Sequence, residues 1–139
     1  MLVQEIMTRD VITVDSEKTI IEACNIYKEA KVGCLIVTHK KECVGILTER
    51  DIIERSICEK KNPELTLVKD IMTKNIKTVH ALDNIERAVE LMNKFNIKKL
   101  PVIIENEIVG IITVTDISKV KSELDNRFVE SWIKPKWQD

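Results

Sequence analysis

Apolar and polar positions along this chain follow two periods, and those periods come in the same order twice. Val11 to Val14 is a short run rich in β-branched residues, which predicts a strand. Thr19-x-x-Glu22 then opens a stretch to about Ala30 in which Ile20, Ala23, Cys24 and Tyr27 recur along one helical face. Cys34 to Thr38 and Cys43 to Thr48 are apolar runs joined by polar His39-Lys40-Lys41-Glu42, the pattern of an antiparallel hairpin. Asp51 to about Cys58 predicts a second helix with Ile52, Ile53 and Ile57 as its apolar stripe. The order then returns as a strand at Ile76 to Val79, a helix at Ile85 to Phe95, a hairpin at Leu100 to Ile104 and Ile108 to Thr113, and a helix from Asp116. That last helix is expected to run on through Val120, Leu124, Phe128, Val129 and Trp132 until Pro135, which cannot continue it.

The second pass is a copy of the first. Sliding the chain by 65 positions aligns Val3-x-x-Ile6-Met7-Thr8 with Val68-x-x-Ile71-Met72-Thr73, and Val44-Gly45-Ile46 with Val109-Gly110-Ile111. Thr13-Val14 meets Thr78-Val79, and Leu35-x-Val37 meets Leu100-x-Val102 in the same register. An internal repeat of this density is a tandem duplication. The expected organisation is α+β: two β-α-β-β-α repeats, residues 1–60 and 67–120, packed as a pseudo-twofold pair. Residues 61–66, polar and broken by Pro63, form the linker, and 121–139 form a C-terminal helical extension. A unit of about sixty residues is marginal alone, so the two repeats are expected to share their packing.

Composition narrows the class. With 44% hydrophobic and 32% charged residues the chain is that of a folded globular protein. A net charge of −1 advertises neither nucleic acid nor an anionic membrane. The N-terminus has no basic region followed by an apolar stretch, and no apolar run reaches transmembrane length, so a cytoplasmic location is expected. Cys24, Cys34, Cys43 and Cys58 show no C-x-x-C pair and are read as reduced thiols. His39 and His80 do not correspond under the repeat and lack neighbours at zinc spacing, so no metal site is expected. No P-loop, G-x-S-x-G or H-E-x-x-H is present, and no nucleophile has a convergent base.

The chemistry left to explain is Thr48-x-x-Asp51 and its copy Thr113-x-x-Asp116 at the end of each hairpin. One reading is structural: a Thr before a helix is an N-cap, and an acid at N3 favours the helix dipole. Asp is short for the reciprocal bond of a capping box, where Glu or Gln is preferred. The other reading is a site, in which the helix start receives a phosphate and the ionised Asp accepts hydrogen bonds from ribose hydroxyls.

Ile-Met-Thr, Thr-Val, Leu100-Pro101-Val102 and Val-Gly-Ile-hydrophobic-Thr-x-x-Asp-Ile, in this order and twice, resemble the CBS domain (named after cystathionine β-synthase) in its tandem form, the Bateman module. The resemblance runs from Val3 to about Lys119. It implies two three-stranded sheets flanked by helices, further dimerisation, and two clefts between the repeats that take AMP, ADP, ATP or S-adenosylmethionine. Carried onto this chain, Asp116 would hold the ribose and Thr113 a phosphate. Ile76, Lys77 and Thr78 would line the adenine edge, Leu100 and Pro101 would form an apolar wall, and Lys98 or Lys99 would reach a phosphate. The first site would use Asp51, Thr48 and Arg50, with Ile12, Thr13, Cys34 and Leu35 around the base. There Gly33-Cys34 replaces Lys98-Lys99 and Ile36 replaces Pro101, so Arg50 is the cation offered to phosphate. On this count the Asp116 copy is the better candidate for an occupied site.

The resemblance therefore implies a non-enzymatic regulatory module, a homodimer, that binds an adenosine compound and signals to a separate client protein. An assembly protein with unoccupied clefts is the alternative, its docking surface including Phe128, Trp132 and Trp137. A nucleic-acid-binding accessory factor is the weakest reading because the charge is near neutral.

Overall fold

The computed structural model describes residues 1–120. The extension expected at 121–139 lies outside the described residues. The elements are α1 (Val3–Ile6), β1 (Thr13–Asp15), α2 (Ile20–Ala30), β2 (Cys34–His39), β3 (Glu42–Thr48), α3 (Glu49–Ile52), α4 (Val68–Ile71), β4 (Val79–His80), α5 (Ile85–Phe95), β5 (Lys99–Ile104), β6 (Glu107–Thr113) and α6 (Val114–Ser118). The β-α-β-β-α order is present twice, and α2, β2 and β3 recur as α5, β5 and β6 at the predicted offset.

The compact units cut the chain differently from the repeats. One unit consists of Val11–Ile76 with Glu105–Ile108. The other consists of Met1–Asp10, Lys77–Ile104 and the residues from Val109 on. In each unit the Ile-Met-Thr segment is supplied by the copy whose hairpin lies in the other unit.

In the first of these units, β1 pairs parallel with β2 and β2 antiparallel with β3. A parallel pair needs a crossover, and α2 provides it. Thr19 caps α2 by accepting the Glu22 N–H at 3.2 Å. The hairpin turn is shorter than the polar tetrad suggests. Lys40 and Lys41 alone make it, both left-handed (φ 50° and 71°), as a two-residue turn that follows the strand twist requires. The core is Val14, Ile20, Ala23, Leu35, Val37 and Leu47, closed by Val68, Ile71 and Met72 from the segment after the linker. That linker is bonded in place, since Thr66 and Pro63 carbonyls accept the Ile20 and Ile21 N–H groups.

Beyond Ile52 the second helix departs from expectation. Residues Ile53–Ile57 wind as a π-helix, and the Cys58 N–H reaches the Ile53 carbonyl at 2.8 Å. The wider turn rotates the face that a 3.6-residue period would bury. Ile53 and Ile57 therefore stand exposed, while Ser56 is wholly buried.

The other unit repeats the plan with β4 parallel to β5, which neighbours β6. Its core is Val79, Ala81, Ile85, Ala88, Leu91, Met92, Leu100, Val102, Ile112, Val114 and Ile117, closed by Val3 and Met7. The strand expected at Ile76 to Val79 is confined to Val79–His80. The first copy likewise begins its strand only at Thr13, and Pro101 explains the further loss at Thr78. In the first copy the Ile36 N–H donates to the Ile12 carbonyl at 3.1 Å, and at the matching position Pro101 has no N–H to give.

Gly45 and Gly110 explain how each borrowed segment docks. An added Cβ on Gly45 would lie 2.7 Å from both Met72 Sδ and the Thr73 carbonyl oxygen. On Gly110 it would lie 2.6 Å from Met7 Sδ and 2.8 Å from the Thr8 carbonyl oxygen. Both glycines sit at ordinary negative φ, so close approach of backbone is what requires them. Beside them Thr73 exchanges both backbone hydrogen bonds with Ile46, at 2.8 and 3.1 Å, and Thr8 does so with Ile111, at 2.8 and 2.9 Å. No helix among the described residues is long and apolar enough to cross a membrane.

Candidate functional site

Each candidate carboxylate stands where a strand turns into a short helix. Thr48 ends β3 and caps α3: its hydroxyl accepts the Asp51 N–H at 3.1 Å, and its own N–H donates to Asp51 Oδ2 at 3.1 Å. Thr113 does the same for α6, with 3.2 and 3.0 Å, and its hydroxyl lies 3.1 Å from Asp116 Oδ2. The reciprocal capping box thus forms with Asp in both copies, although the sequence suggested that Asp was too short for it. The extended backbone of the capping Thr (φ −106° and −124°) brings its N–H within reach of the shorter carboxylate. Each cap takes up one first-turn N–H, that of Asp51 or Asp116.

The carboxylates are also held from outside their own helices. Asp51 and Asp116 are both 7% exposed. The Thr73 hydroxyl lies 3.1 and 3.3 Å from the two oxygens of Asp51, and the Thr8 hydroxyl donates to Asp116 Oδ1 at 3.4 Å. Thr8 and Thr73 were visible in sequence only as the third residue of Ile-Met-Thr, a mark of the repeat. Their role depends on the docking of that segment, which no local pattern states.

The remaining assigned residues fall into three groups. Cys34 pairs with Thr48 in register, and Thr13 with Ile36 two residues further along β2, so the first strand and the head of the hairpin do line one array with the motif. The Ile12 carbonyl is engaged by Ile36, and Leu35 is wholly buried in the core. In the other unit the Lys98 carbonyl accepts the Val114 N–H at 3.0 Å, which sets the start of β5 beside α6. Lys98 and Lys99 are exposed, Leu100 and Pro101 are buried and Thr78 is half-buried. The Lys77 ammonium sits 4.4 Å above the Phe95 ring. Ile76 belongs to the unit of the first copy.

Arg50, the cation proposed for the first site, pairs with Glu54 at 2.8 Å and is 82% exposed. A different arginine approaches the carboxylate. Arg55 Nε lies 3.8 Å from Asp51 Oδ1, and its Nη1 donates to the Ile71 and Met72 carbonyls at 3.2 Å each. Sequence reading passed it over because its repeat partner is Val120.

A groove of about 590 Å³ runs along the same unit, lined by residues that include Cys24, Tyr27, Glu49, Ile52 and Ile53. It shares α3 with the Asp51 motif but none of the assigned residues. Burial, then the neighbouring Cys34 and Glu49, push the Tyr27 hydroxyl above its ordinary pKa, and it stays protonated and donates to the Leu47 carbonyl. Burial likewise pushes the Cys24 and Cys43 thiols up, away from thiolate chemistry. In the hairpin Cys34 faces Thr48 and Cys43 faces Thr38, so these two cysteines are not opposite each other.

Known proteins are similar to this chain in sequence and in fold. The chain is 34% identical over 124 residues to the uncharacterized protein MK0525 of Methanopyrus kandleri, covering 88% of this chain and 63% of that one. It is 31% identical to the CBS domain-containing protein YhcV of Bacillus subtilis, covering 84% and 82% of the two chains. The crystal structure of the CBS domain pair of protein MJ0100, in complex with 5′-methylthioadenosine and S-adenosyl-L-methionine, superposes with a TM-score of 0.74 at 30% identity, covering 88% of this chain and 97% of that one. The model of the CBS domain matches residues 3–57 and again 68–123. With both repeats matched, each ending on its buried Thr-x-x-Asp, this chain belongs to the CBS-domain family and carries the domain as a tandem pair.

Proposed function

We propose that the chain is a non-enzymatic regulatory module that binds adenosine-containing ligands (AMP, ADP, ATP or S-adenosylmethionine) at Asp51 and Asp116 and signals occupancy to a separate partner protein. The observation that carries this reading is the pair of nearly buried carboxylates, each anchored by the backbone of its motif Thr and by a second Thr hydroxyl. Such an anchored carboxylate is preorganised to accept the two hydroxyls of a ribose, and its Thr neighbours are hydroxyl donors that a ribose can replace. The similar CBS pair of protein MJ0100 is bound to two adenosine compounds, which supports the ligand class. Thr13 and Cys34 of the first copy, and Thr78, Lys98 and Lys99 of the second, are the proposed flanks.

Occupancy would act through the segments that complete each site. A ligand that takes hydrogen bonds from Asp51 competes with Thr73, and Thr73 is tied to Ile46 and follows the linker. Binding energy that differs between two arrangements of that segment is what shifts the population. The exposed Ile53 and Ile57 support self-association as a homodimer, which light scattering reads directly.

The test is thermal shift against AMP, ADP, ATP, GTP and S-adenosylmethionine, followed by calorimetry. One or two adenosine compounds should stabilise the chain, by about 2.7 kcal/mol at one hundred times the dissociation constant. Asp116→Ala should remove one binding event and leave the fold intact. Unchanged stoichiometry in that variant overturns the ribose assignment, and no shift with any compound at millimolar concentration favours the assembly role.

A further inference from the structure

The two Thr-x-x-Asp motifs share their caps but not their charge. Beside Asp51 the Arg55 guanidinium is held at three points: Nε is 3.8 Å from the carboxylate, and Nη1 donates to the Ile71 and Met72 carbonyls. A guanidinium carries five N–H donors in a planar fork. Nη2 has no partner among the described residues, and the side chain is 52% exposed. A fixed, half-solvated pair of donors therefore stands next to a carboxylate whose charge it offsets.

The second copy has no counterpart. Val120 occupies the matching position, and among the described residues the hydrogen bonds to the Asp116 side chain come from Thr113 and Thr8. Lys98 and Lys99 begin β5 there, but their ammonium groups make no hydrogen bond or ion pair among the described residues. Among the described residues, an anion approaching Asp51 meets a charge-balanced pair whose Nη2 N–H groups are unengaged, and no cation stands in the matching place beside Asp116.

We propose that Arg55 is the specificity-determining residue of the Asp51 site and makes it a site for phosphate-bearing ligands. The inference rests on the reading of Asp51 as a ligand-holding carboxylate. A planar fork matches two phosphate oxygens at once. Because the Ile71 and Met72 carbonyls already orient it, little freedom remains to be lost on binding. Arg50, paired outward with Glu54, has no part in this.

The experiment uses the full chain carrying Asp116→Ala, or Asp116→Asn where the first fails to fold, so that the Asp51 site is left. Calorimetry should find AMP tighter than adenosine by about tenfold or more, the range of a charge-assisted hydrogen bond. Adding Arg55→Gln should bring that ratio close to one, and Arg55→Lys should restore part of it. An equal loss for both ligands in Arg55→Gln, or an unchanged ratio, overturns the assignment. Pyrophosphate separates this inference from the nucleoside reading beneath it. It should raise the melting temperature of the unsubstituted chain and not of Arg55→Gln, even if adenosine binds nowhere. Adenosine binding that survives Asp51→Ala in the Asp116 background sinks the underlying reading instead.

Discussion

The unit built on β1 to α3 and the unit built on β4 to α6 are two uses of one sequence plan, and their differences fall almost entirely outside the shared pattern. Both end a hairpin on a Thr-capped turn, bury an Asp to the same degree, and accept an Ile-Met-Thr segment against a glycine. They differ at Ile36 against Pro101, which removes a strand N–H, and at Arg55 against Val120, which among the described residues sets a cation beside Asp51 and none beside Asp116. What a duplicated fold keeps is the framework that positions the carboxylate. What it varies is the charge and the strand edge around it, and those are what a ligand would feel.

The comparison can be broken at its framework first. Leu47→Ala and Ile112→Ala remove matching core side chains, so each should cost about 2–5 kcal/mol in urea unfolding, with the two losses alike. A loss confined to one of them would mean that the units do not share a plan energetically. Next come Gly45→Val and Gly110→Val, which drive a side chain into a carbonyl that cannot move aside. Each should cost about 1–3 kcal/mol and expose its docked segment to limited proteolysis. Unaltered cleavage near Thr73 in Gly45→Val would contradict the docking argument.

Smaller effects sharpen the difference between the sites. Thr73→Val removes a hydroxyl that touches both Asp51 oxygens and should cost about 1.5 kcal/mol, whereas Thr8→Val, whose bond is longer, should cost about half that. Equal losses would show that the Thr geometry does not separate the two units. Smallest of all is Arg50→Ala, expected to leave the unfolding midpoint unchanged because its pair with Glu54 is exposed. A loss measured by chemical denaturation would return Arg50 to the structural account.

Much of this was legible from residue order. The spans of α2, α5 and both hairpins follow from period and turn chemistry, because those elements bury one face against their own neighbours in sequence. The π-helix after Ile52 was not legible, since the Ile52, Ile53 and Ile57 spacing fits an ordinary helix and does not announce the wider turn in which Ser56 is buried. The capping box was misjudged at Asp51 and Asp116 because reach depends on backbone angles at the capping Thr. Pro101 could have foretold the short β4, had the missing N–H been counted against its parallel partner.

By itself the sequence determined the duplication, the α+β order within each copy, the family and the two Thr-x-x-Asp turns. These are set by local periodicity and by an offset that any alignment of the chain with itself exposes. Tertiary structure alone decided which Ile-Met-Thr completes which turn. Val3 and Val68, like Met7 and Met72, are chemically identical at matched positions, so either segment suits either hairpin by pattern. The long-range packing at Gly45 and Gly110, and the path of the linker past α2, break that degeneracy. They also bring Arg55 to Asp51, a contact that no repeat could announce because the other copy does not have it.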